Sequence, residues 1–115
     1  MSRRPTNIVR FMGAPVLTGL VLSDADYDLI VSAIGPCHGA EVERFLAAAS
    51  VVPGGRRLNT SHPIMEDVLA AVGVEVHGYM KLDEERDGRA RVRPKRGSTA
   101  ERLMVIYEQI EQHLS

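Results

Sequence analysis

Between Arg86 and Arg96 the chain reads Arg-Asp-Gly-Arg-Ala-Arg-Val-Arg-Pro-Lys-Arg, six basic side chains against a single acidic one. Guanidinium and ammonium groups at that density hold phosphates or carboxylates through charge-assisted hydrogen bonds. The alternation Arg89, Ala90, Arg91, Val92, Arg93 has the two-residue period of a strand, which lines one face with arginine and turns Ala90 and Val92 towards a core. The expected product is a cationic ribbon in which Asp83 lies opposite Arg91 and Glu85 opposite Arg89. Arg86, Arg93, Lys95 and Arg96 then remain free for an anionic partner. Pro53-Gly54-Gly55-Arg56-Arg57 offers a second cradle of backbone amides and two guanidiniums, but it lacks the Walker lysine and serine and reads first as an exposed connector.

Other residue types with chemical potential are less well placed. Cys37-His38 sets a thiol beside an imidazole, yet adjacent residues rarely face each other, and Pro-Cys-His-Gly has the composition of a helix connection. His62 and Glu66 stand four apart and would share a helix face as metal ligands with His38 or His77. No Cys-x-x-Cys or His-Glu-x-x-His accompanies them. Asp24, Asp26, Glu41, Glu43, Glu66 and Asp67 sit where helix starts attract anions, so no acid–base pair is assigned. The reading is of a non-enzymatic protein with no catalytic residues, no metal and no cofactor.

Composition narrows the partner. The 115 residues are 44% hydrophobic, enough for one domain spanning residues 1–115 with a modest core. Formal charge is only -1, so electrostatic binding must come from local segregation: acidic residues cluster up to Asp83–Glu85, and the basic excess lies after Arg86 and at Arg3-Arg4 and Arg56-Arg57. One cysteine forms no internal disulfide, no apolar run approaches the length of a membrane span, and the opening Met-Ser-Arg-Arg-Pro lacks the apolar core of a secretory signal. A cytoplasmic setting is expected, with no membrane partner. Tryptophan is absent and the aromatics are three Tyr and two Phe, too few to favour stacking on single strands.

The elements that would position these groups follow from periodicity. Asn7–Met12 and Val16–Leu22, separated by Gly13-Ala14-Pro15, read as an N-terminal hairpin. Ser23 caps a helix carrying Tyr27, Ile30, Val31 and Ile34, ended by Gly35-Pro36. A second helix spans Ala40–Ser50, a third about Pro63–Val72 ending at Gly73, with a long loop between them. Val74–Leu82 alternates as a strand and joins Arg89–Arg93 through the loop Arg86-Asp87-Gly88, a register that sets Leu82 opposite Val92. Ser98-Thr99-Ala100-Glu101 is a capping box that opens the last helix, whose Leu103, Tyr107, Ile110 and Leu114 have the spacing of a coiled-coil seam.

These elements give an α+β fold in which the N-terminal hairpin and the Val74–Arg93 hairpin form a small antiparallel sheet packed against about four helices. The order in the C-terminal half loosely resembles that of winged-helix regulators, in which a hairpin wing touches DNA and a C-terminal helix dimerises. Two features depart from that pattern: about a dozen residues separate the second and third helices where a helix-turn-helix has about three or four, and Glu66 and Asp67 stand on the third helix in place of base-reading arginines. The expected function is a small dimeric regulator binding duplex nucleic acid. Arg86, Arg89, Arg91, Arg93, Lys95, Arg96, Arg56 and Arg57 would contact phosphates, and Leu103, Tyr107, Ile110 and Leu114 would form the homodimer seam. The alternative is an interaction module, an inhibitor or adaptor of phage or bacterial type, that docks its cationic hairpin on an acidic protein surface.

Overall fold

Two of the helix starts expected from capping residues are built as the sequence implies. The Ser23 hydroxyl accepts the Asp26 amide at 3.1 Å, and the Ser98 hydroxyl accepts the Glu101 amide at 3.1 Å. The Glu101 carboxylate reaches back to the Gly97 amide, one residue earlier than in the usual reciprocal pair. In a computed structural model that describes residues 19–114, the elements run β1 (Gly19–Leu22), α1 (Asp24–Ile34), α2 (Ala40–Ala47), β2 (Ser50–Val52), β3 (Gly55–Asn59), α3 (Met65–Asp87) and α4 (Thr99–Leu114). The fold is α+β, with four helices and one small antiparallel sheet among the described residues.

The sheet has the order β1-β3-β2 and is not the one expected. Of the N-terminal hairpin, Gly19–Leu22 is a strand, and Asn7–Met12 lies outside the described residues. Its partner is β3, with Leu20 opposite Leu58 and Leu22 opposite Arg56. The segment read as a long loop between two helices is itself a hairpin: Ser50 pairs with Arg57 and Val52 with Gly55 across a two-residue turn, Pro53-Gly54. Proline presets φ at the first turn position, and Gly54 supplies φ +88° at the second, the demand of a type II turn.

The expected Val74–Leu82 strand and its hairpin with Arg89–Arg93 do not form. Helix α3 continues through Gly73 to Asp87, 23 residues in all. Over a short run, period 2 and period 3.6 share positions, and Val72, Val76 and Met80 satisfy both. The helical reading prevails because Met65, Val68, Val72, Val76 and Met80 make one continuous buried face, and Lys81–Arg86 supplies Leu, Glu, Lys and Arg, good helix formers. Gly73 does not end the helix; it makes room for α4, since a Cβ there would stand 3.2 Å from the Tyr107 ring. The stop is Gly88, left-handed at φ +72° with its amide bonded to the Glu84 carbonyl.

Helix α4 packs along α3, and this contact buries part of the stripe expected to form the dimer seam. Leu103, Ile106 and Ile110 are completely buried in the chain's own core, together with Met65, Val68 and Val72 of α3. Tyr107 and Leu114 are half-buried against the same core. The coiled-coil spacing arises from an intramolecular antiparallel pair, in which the connection over residues 88–98 returns α4 along α3. The C-terminal half is thus a helical hairpin. A strand, two helices and a hairpin make up the first half, from β1 to β3.

Candidate functional site

The basic run forms the connection between α3 and α4, and acidic residues at the end of α3 fix part of it. Because α3 is helical to Asp87, residues 83, 84 and 87 face the returning chain from one side of the helix. Asp83, itself buried, pairs with Arg86 one turn on. Asp87 holds Arg91 at 3.0 Å and Lys95 at 3.3 Å, and Glu84 accepts the Arg91 amide at 3.1 Å. The Arg91 hydrogen bond, then Lys95, holds the Asp87 carboxyl below the ordinary carboxylate range. These contacts replace the expected cross-strand pairs of Asp83 with Arg91 and Glu85 with Arg89.

The eight basic residues expected to bind an anion divide into three groups. Arg91 and Lys95 are engaged with Asp87, and Arg86 with Asp83, although the Arg86 side chain stays 68% exposed. Arg89, Arg93 and Arg96 are exposed and have no ion-pair partner among the described residues. Arg56 and Arg57 belong to β3, where neighbouring residues point to opposite faces. Arg56 lies over the Tyr27 ring, 4.7 Å from its centroid, and the Tyr27 hydroxyl donates to the Leu46 carbonyl. Arg57 shares its face with Val21 and Ser50 and lines a groove beside α2.

Ion pairs from α4 and α3 reach the first half of the chain. Arg102, one turn into α4, approaches Asp26 of α1 at 4.0 Å, and Asp26 precedes the Tyr27 that carries Arg56. His38, proposed as a metal ligand or as a base for Cys37, instead meets Glu75 of α3 at 3.0 Å. His62 uses Nδ1 to accept the Ile64 amide at 3.1 Å, just before α3. Among the described residues no group of three or more His, Cys, Asp or Glu side chains is placed to hold a metal ion. No described helix is long and apolar enough to cross a membrane.

Arg44 and Asn59, which line the groove with Arg57, were not legible as site residues. Their only sequence signal was proximity to the Pro53–Arg57 segment, which in a connector carries no meaning. No family model matches the chain, and no curated protein or solved structure matches it.

Proposed function

We propose that this protein binds duplex nucleic acid without catalysis, contacting phosphates through the α3–α4 loop. The observation that carries the reading is that Arg89, Arg93 and Arg96 are exposed and have no ion-pair partner among the described residues, all within eight residues of a chain whose net charge is -1. Unpaired guanidiniums gathered on one loop, while nearby bases are neutralised, leave a local field for a polyanion. The first half supports the same reading by fold-level analogy. A strand, two helices joined by residues 35–39, and a hairpin closing on the first strand follow the order of winged helix-turn-helix proteins. In that arrangement β2–β3, with Arg56 and Arg57, is the wing.

One observation favours the rival, docking on a protein. The exposed side of α2, the helix that would enter a groove of DNA, carries Glu41 and Glu43 beside Arg44. Carboxylates there repel phosphates and suit a partner of mixed charge.

Fluorescence anisotropy with random-sequence duplex DNA over a salt series separates the two. Three neutralised phosphates give a slope of log K against log salt near -2.7. No binding at low salt would remove the nucleic-acid reading and leave the protein partner.

A further inference from the structure

At the end of the sheet where β1 and β2 begin and β3 finishes, a groove of about 790 Å³ lies against α2. Small-molecule sites span roughly 300 to 1,000 Å³ and combine an apolar floor with a few convergent polar groups. The floor here is carbon: Ala49 is half-buried, and the half-buried Phe45 ring stands 5.2 Å from the His62 ring at 52°.

The polar groups of the lining are biased towards donation. Asn59 uses Oδ1 to accept the Ser61 amide at 3.0 Å, which leaves its NH2 group to donate. His62 uses Nδ1 to accept the Ile64 amide, so the neutral ring carries its hydrogen on Nε2. Arg44 and Arg57 also line the groove and have no ion-pair partner among the described residues. Arg57 reaches this position because Gly19 has no side chain: a Cβ there would overlap Cγ and Cδ of Arg57. Glu41 is the one carboxylate among the described lining residues, so two guanidiniums against it leave a charge of +1.

We propose that this groove binds a small organic carboxylate with an aromatic or alkyl body. The carboxylate meets the Arg44 and Arg57 guanidiniums, whose planar forks match its two oxygens, with Asn59 and His62 Nε2 as further donors. The body lies on Phe45 and Ala49. A net charge of +1 matches a monoanion. The inference does not rest on nucleic-acid binding, and it holds or fails separately from that reading.

The test is a titration of the full chain, labelled with 15N, with 2-naphthoate and in parallel with the neutral 2-naphthamide, followed by amide chemical shifts. The acid is expected to give saturable shifts confined to the segments around Phe45, Leu58 and His62, and the amide none. Arg44→Ala and Arg57→Ala are each expected to weaken the acid by roughly tenfold, as loss of a hydrogen bond to a charged group does. Arg44 is exposed, so its replacement leaves the fold, and hence the amide spectrum elsewhere, unchanged. Absence of saturable shifts, shifts centred outside the groove, equal binding of acid and amide, or indifference to Arg44→Ala would each overturn the proposal.

Discussion

Asp87 is the residue on which the loop's availability turns. It pairs with both Arg91 and Lys95, so Asp87→Asn removes one negative charge and frees two cations. Duplex affinity should then rise at low salt, and the salt slope should steepen from about -2.7 towards about -4.5, for five phosphates instead of three. An unchanged slope would show that Arg91 and Lys95 do not face the ligand. The same carboxyl gives the loop a pH dependence of known sign. Because Arg91 and then Lys95 lower its pKa in the folded state, its contribution is present above the pKa of an unfolded aspartate. That contribution is lost as the pH falls through the lowered folded value. Amide shifts of residues 88–96 should therefore hold through mild acid and move only below the ordinary aspartate range.

At the scale of elements, the α3–α4 pair carries the core, and its loss is the largest effect expected of a single truncation. Ile110 is completely buried, so Ile110→Ala should destabilise the protein by about 2 to 5 kcal/mol, measured by urea denaturation. A cost under about 0.5 kcal/mol would mean that α4 does not pack on α3. Short elements with side-chain signals were legible in the sequence: α1 from Ser23 and its Tyr27-Ile30-Ile34 stripe, α4 from the Ser98–Glu101 box. The length of α3 was not, because Gly73 resembles a helix stop until Tyr107 is seen to need the space, and because Val74–Leu82 alternates by coincidence with its four-residue steps. The β2–β3 hairpin was hidden for another reason. Its strands are three and five residues long, too short to display a period, and Pro53-Gly54 reads equally well as a turn or as a connector. Misreading α3 also displaced the candidate site: the arginines were recognised by type, but their pairing follows the turn of a helix, not the register of a ladder.

For the whole molecule, the intramolecular seam changes the assembly expected. With Leu103, Ile106 and Ile110 sequestered in the core, a second copy finds on α4 only the half-buried Met104, Tyr107 and Leu114 and the half-exposed Val105. Light scattering after size exclusion should give the mass of one chain at micromolar concentration, and the mass of two would contradict this. A monomer binding through one loop makes no use of half-site spacing, so affinity should be insensitive to duplex sequence and governed by charge. The most direct test is the low-salt duplex affinity of Arg89→Ala/Arg93→Ala/Arg96→Ala relative to wild type. The three residues are exposed, and their loss should leave the thermal midpoint nearly unchanged. The account predicts roughly tenfold or greater weakening with the fold intact. Equal affinities of the two proteins would contradict it.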